Sequence, residues 1–356
     1  MMSNMPYLSR LLVDRGLVLK PRLWAPRTRL MLVSEPRVWK LHGSRVLAGL
    51  RRAGLECGMH LLPRGERAKT WSAVSRLMSR MLRQGLGRDG AVLALGGGSV
   101  TDAAGFAAAI YMRGINWVSL PTTLLGQVDA GIGGKTGIDL AQGKNLAGAF
   151  HPPLITACDT ALLETLSPRD FNCGLAEAVK FALVCDPGLW AFIRKNWTQL
   201  LLAQPAATET LVRRAAAGKL RLTTRDPQET KGLRDFLNFG HTIGHALELA
   251  AGLGPLRHGE AVVCGMRAAL RLSQAHAGLA AGASDEIDAF LRLLPVPRLA
   301  PRPNSVLAAL NLDKKTRAGR GRFVLLRSIG RPVIKSGLPQ RSVRRAIQSS
   351  LQELRA

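Results

Sequence analysis

The stretch from Gly90 to Leu120 constrains the fold more than any other. Gly90-Ala-Val-Leu-Ala-Leu95 is a continuous apolar run, the pattern of a strand buried on both faces of a parallel sheet. It leads directly into Gly96-Gly97-Gly98-Ser99. The small-residue stretch from Asp102 to Tyr111 has helix composition, and Asn116-Trp-Val-Ser-Leu120 reads as strand again. Strand, helix and strand in that order imply parallel strands joined by crossover helices. Arg29-Leu-Met-Leu-Val-Ser34 reads as a further buried strand, followed by a helix over about 36–53. Beyond about residue 165 the texture changes. Helical patterns dominate at 174–184, 206–221, 238–251, 258–278 and 340–353, and Arg322-Phe-Val-Leu-Leu326 is the main strand candidate left. The expected plan is an α/β domain over 1–165 and a mainly α-helical domain over 166–356, in a chain long enough for two domains.

Composition excludes several classes. There is no run of about 18 uncharged apolar residues, so no membrane span is expected. Met1 to Lys20 lacks the apolar stretch and cleavage site of a signal peptide. The five cysteines, at 57, 158, 173, 185 and 264, are odd in number and lack paired spacing. That argues against a disulfide framework and against a CxxC zinc site, and for a cytoplasmic location. The formal charge is +26. Nucleic acid is the obvious partner for such a charge, but the cations are spread through amphipathic stretches such as Arg76-Leu-Met-Ser-Arg-Met-Leu-Arg83. No aromatic-studded basic patch accompanies them, so a basic surface or attraction for anionic substrates is the preferred reading.

Three groups of residues carry chemistry. The glycine turn at 96–98 lets backbone approach a phosphate at a helix N-terminus, although a plain tight turn fits equally well. Asp102 is expected in the first turn of the following helix, as a stabilising acid or a ligand-facing group. Gln127-Val-Asp-Ala-Gly-Ile-Gly-Gly-Lys135-Thr resembles a phosphate loop but fails the GxxxxGK[ST] spacing. With Lys144-Asn145 it suggests an anion site built from backbone and cations. Finally, His241 and His245 share one helix face at i and i+4, and His258-Gly-Glu260 opens the next helix. Three of the chain's seven histidines within eighteen residues point to a divalent metal, without choosing among them or supplying a carboxylate.

Read together, these motifs resemble the 3-dehydroquinate synthase family of the sugar-phosphate cyclase superfamily, over about 60–330. The blocks are Gly96-Gly-Gly with Thr101-Asp-Ala-Ala-Gly-Phe, Tyr111-Met-Arg-Gly, Pro121-Thr-Thr-Leu-Leu, Val128-Asp, Gly133-Gly-Lys-Thr-Gly and Gly143-Lys-Asn. They continue with Gly174-Leu-Ala-Glu-Ala-Val-Lys180, Gly232-Leu-Arg-Asp-Phe-Leu-Asn-Phe-Gly-His-Thr-Ile-Gly-His245, His258-Gly-Glu-Ala-Val and Asp313-Lys-Lys315. The resemblance implies an N-terminal NAD-binding domain with a Rossmann-like parallel sheet. It also implies a helical C-terminal metal- and substrate-binding domain, with the site in the cleft. Implied metal ligands are Glu177, His241 and His258, for Zn2+ or Co2+. Implied NAD+ contacts are Glu66, Lys69, Gly97, Gly98, Asp102, Thr122, Thr123, Lys135, Lys144 and Thr165. The implied substrate and catalytic set is Asp129, Lys135, Lys144, Asn145, Lys180, Lys219, Arg234, Asn238 and His245, with one or both of Lys314 and Lys315 as anion contacts. Arg113 is implied to reach a neighbouring subunit's site, hence a homodimer. The implied reaction turns a heptulosonate 7-phosphate into 3-dehydroquinate and phosphate by transient oxidation with NAD+, elimination, re-reduction and aldol closure.

Several positions depart from the family pattern. Ser34-Glu35 stands where Thr-Asp is usual, Thr101 where Gly is common, and one extra residue separates Glu229 from Arg234. Other cyclases of the superfamily and metal-dependent glycerol or alcohol dehydrogenases are the competing enzyme readings. The presence of Arg234, Asn238 and His245 favours the 3-dehydroquinate synthase reading over the other cyclases.

Overall fold

The computed structural model describes residues 9–141, 143–252, 254–299, 301–316 and 321–355; the side chains of 311–316, 353 and 355 are outside that description. The chain divides into two compact units. One comprises Met1–Phe171 with Thr198–Gln228, the other Asn172–Trp197 with Glu229–Ala356.

The first unit begins with β1 (Arg10–Asp14), β2 (Leu30–Ser34), α1 (Pro36–Val38), α2 (Ser44–Arg52), β3 (Cys57–Leu61), α3 (Trp71–Arg83) and β4 (Ala91–Gly96). It continues with α4 (Gly98–Ile110), β5 (Asn116–Pro121), β6 (Lys135–Leu140), β7 (Gly143–Phe150) and β8 (Ile155–Asp159). Six strands form one sheet in the order β1-β8-β5-β4-β2-β3, with every pairing parallel. β2 and β4 are buried at every position, as their unbroken apolar runs require. Met31, Val33, Val92 and Ala94 pack with α3 and α4 on one face. Leu30, Leu32, Ala91, Leu93 and Leu95 pack with Val46, Leu47 and Leu50 of α2 on the other. β3 lies on one side of β2 and β4 on the other, so the order reverses between β2 and β4. In open parallel sheets, ligands bind at such a reversal, beyond the carboxyl ends of the strands. The Ser34 hydroxyl donates to the Leu95 carbonyl at 2.8 Å and fixes the two strand ends together there.

Helices follow as α5 (Pro168–Cys185), α6 (Pro187–Lys195), α7 (Trp197–Leu201), α8 (Pro205–Arg225), α9 (His241–Ala250), α10 (His258–Ala277), α11 (Ala281–Leu291) and α12 (Pro303–Thr316). A hairpin of β9 (Arg322–Ser328) and β10 (Arg331–Ser336) and the terminal α13 (Gln340–Arg355) close the chain. The sequence assigns all of this to the part beyond 165, yet α8 packs with the first unit, where the Arg213 guanidinium donates to the Val13 carbonyl at 2.7 Å. In the second unit α10 packs against α9, α11, α13 and β9. All five cysteines are free thiols, and only Cys185 is exposed. Among the described residues, no helix is long and apolar enough to cross a membrane.

Candidate metal centre and glycine-turn site

The second unit gathers its chemistry where α5, α9 and α10 meet. Two glycines let their backbones approach. A Cβ on Gly265 would stand 1.9 Å from the Gly240 carbonyl oxygen, so α9 and α10 touch through main chain. A Cβ on Gly259 would stand 2.4 Å from the Cys173 Cα, which sets α10 equally close to α5. These contacts put His241 and His245 of α9, His258 of α10 and Glu177 of α5 together. Glu177 Oε1 lies 3.6 Å from His241 Nε2 and 3.3 Å from His258 Nε2. The three imidazoles offer nitrogens within 4.8 Å of one another. The geometry therefore groups His245, which the resemblance gives to the substrate, with the two histidines it gives to the metal.

Charge at this centre is balanced from within. Burial pushes the Glu177 carboxyl up, but the Lys180 ammonium, 2.5 Å from Oε2, and the nearby imidazoles outweigh it and hold it well below the usual range. Burial and Lys180 push His241 well down, so its ring is neutral. Burial also opposes a charge on His258, but Glu177 and Glu248 raise it to about 9. Glu248 was not expected from the sequence. It sits on α9 seven residues after His241 and three after His245, on the same helix face, so helical spacing alone carried its signal. Arg234 is buried and paired with Glu229 at 3.2 Å, and Asn238 ends the short turn before α9. Lys314 and Lys315 fall on α12, with side chains outside the described residues.

The first unit holds the other cluster, beside the glycine turn. α4 starts at Gly98, with Gly97 as its N-cap and no side chain capping it. Asp102 is consequently the helix's fifth residue, a turn deeper than the sequence suggested, because the helix already begins at the last glycine of the turn. It ion-pairs with the buried Lys69 ammonium at 2.9 Å. Asp139 and Glu66 stand 3.6 and 3.9 Å from the same nitrogen, and the Asn145 side-chain oxygen also accepts from it. Burial disfavours the charge on Lys69, but Asp102, Glu66 and Asp139 raise its pKa all the same. Burial pushes Asp102 up against the pull of Lys69, and burial with a hydrogen bond to Asp139 raises Glu66. Asp139 was also missed; it accepts from the Asn145 amide at 2.8 Å and donates its own amide to the Lys69 carbonyl at 2.9 Å.

The remaining expected residues of this unit are dispersed around it. Thr122 is buried, and its amide donates to the Gly96 carbonyl at 2.9 Å. The Thr123 hydroxyl accepts from the Gly126 amide at 3.0 Å. Lys219 of α8 donates to the Asp129 carboxylate at 2.6 Å, which unites two expected substrate residues. Lys135 begins β6 and is exposed, and Lys144 is half-buried on β7. The glycine-rich stretch before Lys135 leads into a β-hairpin, and Asn145 on it holds a left-handed φ of 56°. The Thr165 hydroxyl meets His42 Nε2 at 2.9 Å. Arg113 is exposed in a turn where it and Met112 both have positive φ. Glu35 caps α1, accepting from the Arg37 and Val38 amides at 3.1 Å. The Thr101 hydroxyl donates to the Gly98 carbonyl at 2.9 Å.

Comparison with known proteins gives one consistent result. The 3-dehydroquinate synthase N-terminal family model matches residues 59–173 and its C-terminal counterpart matches 174–316. A 3-dehydroquinate synthase of Bordetella pertussis is 40% identical over 326 residues, 91% of this chain and 90% of that protein. One from Pelobacter propionicus is 39% identical over 93% of this chain and 90% of its own length. Among solved structures, 2-epi-5-epi-valiolone synthase from Streptomyces hygroscopicus, with NAD+ and Zn2+ bound, superposes with TM-score 0.90 at 33% identity, covering 99% of both chains. A 2-deoxy-scyllo-inosose synthase complexed with carbaglucose-6-phosphate, NAD+ and Co2+ gives TM-score 0.86 at 26% identity, covering 95% of this chain and 96% of that one.

Proposed function

The chain belongs to the 3-dehydroquinate synthase family, and from that premise we propose that it converts 3-deoxy-D-arabino-heptulosonate 7-phosphate to 3-dehydroquinate and phosphate. Its cofactors in this reading are NAD+ and a divalent metal, Zn2+ or Co2+. The observation that carries the reading is the buried Glu177 carboxylate shared by His241 and His258, in a chain whose two halves match the family in order.

The residues present fit both cofactors. A carboxylate and two imidazoles are a catalytic donor set for a borderline divalent ion, and Glu177 is already ionised. The uncapped N-terminus of α4 at the sheet's reversal point suits a pyrophosphate. When bound, NAD+ supplies reversible hydride acceptance, and the metal supplies Lewis acidity toward a substrate hydroxyl. The chain's part is to hold one conformer and meet developing negative charge. Lys180 keeps Glu177 ionised. Arg234, Asn238, Lys135, Lys144 and Lys219 offer donors suited to a carboxylate and a phosphate, and Asp129 sets the Lys219 ammonium. His245, exposed beside the two ligand histidines, handles protons and contacts the substrate anion. Lys69 keeps Asp102 and Glu66 in place for the NAD+ ribose side. The exposed turn carrying Arg113 supports the homodimer, with Arg113 serving a neighbour's site, and the chain acts in the cytoplasm.

The test is phosphate release from the heptulosonate 7-phosphate with NAD+ and metal both supplied. Release, abolished by chelator, is expected. The likeness to the valiolone synthase makes sedoheptulose 7-phosphate the essential comparison, with glucose 6-phosphate beside it. Turnover of either of these in place of the heptulosonate would overturn the substrate assignment.

A further inference from the structure

His258 is held on both sides by carboxylates. Its Nε2 faces Glu177 Oε1 at 3.3 Å, and its Nδ1 faces Glu248 Oε2 at 3.5 Å on the opposite edge of the ring. His241 repeats the arrangement with a backbone partner, its Nδ1 lying 3.3 Å from the Phe239 carbonyl oxygen while Nε2 faces Glu177. In both rings Nδ1 has an oxygen to donate to, so the neutral ring carries its lone pair on Nε2, on the Glu177 side. An imidazole has one lone pair to give, and the hydrogen bond made by the other nitrogen decides which atom carries it. Glu248 is 8% exposed as a residue, so its carboxylate is not a solvated surface acid. Helix α9 carries it on the same face as His241 and His245.

We propose that Glu248 is a positioning residue for the metal centre: it fixes the Nδ1–H tautomer and ring orientation of His258, so that Nε2 is presented beside Glu177. This rests on the reading of Glu177, His241 and His258 as the ligand set. Glu248 lies across the ring from Nε2 and acts through His258, on metal affinity and ligand-field geometry.

The experiment measures Co2+ affinity by chelator competition, and the visible Co2+ spectrum, on the full-length chain. Its variants are E248A, E248Q and H258A, each checked for cooperative thermal unfolding. The expected results are loss of Co2+ binding in H258A and a weakening of about 10- to 100-fold with an altered spectrum in E248A. E248Q keeps an acceptor oxygen for Nδ1–H, so its affinity and spectrum should return most of the way to those of the unaltered chain. If E248A unfolds, E248Q decides: near-native binding supports the role, and loss equal to that of H258A overturns it. Native affinity and spectrum in E248A, with binding lost in H258A, would overturn the proposal and leave the ligand set standing. Native binding in H258A would overturn the ligand set itself.

Discussion

At the scale of single residues, the two clusters are built around buried lysines that pair with carboxylates. Lys180 does this for Glu177, and Lys69 for Asp102, Glu66 and Asp139. Removing one member of a buried ion pair costs more than the pair contributes, because the remaining charge is stranded. Lys69→Met is therefore expected to lower unfolding free energy by roughly 3 kcal/mol at pH 7 and to weaken NAD+ binding. Urea unfolding and cofactor titration read the two effects separately; an unchanged midpoint would show that the carboxylates do not need this cation. The sequence made Lys69, Asp102, Glu177 and the histidines legible through the family motifs. Asp139 and Glu248 were not, since each sits in ordinary strand or helix texture and gains its meaning only from what lies across from it.

The element scale explains why glycine recurs around the histidines. In Gly240-His241 and Gly244-His245, and at Gly259 and Gly265, a donor or its partner helix is flanked by a residue without a side chain. The crossing of α9 and α10 uses this at Gly265, where the nearest neighbour is the Gly240 carbonyl. Gly265→Ala must move backbone on one helix or the other, so a cost of about 3 kcal/mol is expected, at the upper end for overpacking. Thermal unfolding reads it directly, and metal affinity should fall with it. A variant as stable as the parent chain would mean that the crossing yields easily. β2, β4 and β5 were readable because burial on both faces leaves an unbroken apolar run, whereas β1, β3 and β8 of the same sheet were not picked out. The β6–β7 hairpin was not, because its glycines and lysines read as a loop. Helices α6, α11 and α12 also escaped, being short or weakly patterned.

For the whole molecule, linear order and compact unit do not coincide. α8 has the apolar spacing of the helices around it, and nothing local distinguishes which unit it joins. A positive charge of +26 leaves carboxylates surrounded by cations, and this sets the response to acid. Burial raises Asp288, but hydrogen bonds and attraction from Arg267 of α10 and from Arg292 lower it below the usual carboxyl value. A depressed folded value adds stability above the unfolded pKa of about 4, and that stability is lost as pH falls through the folded value. Asp288→Asn should thus be less stable by about 1 to 2 kcal/mol at neutral pH, with the gap narrowing steadily at acid pH. Urea midpoints at pH 7 and pH 3 check it; a gap constant between them would remove Asp288 from the acid response.

The contact between α9 and α10 also fixes a tolerance. Where side chains separate two helices, each substitution in that layer acts as a spacer of a new thickness and resets the distance between whatever the helices carry. At Gly240 and Gly265 there is no such layer, and main chain rests on main chain. The gauge between His241 and His258 is therefore cut by the polypeptide itself, and drift elsewhere in the core has no shim to change.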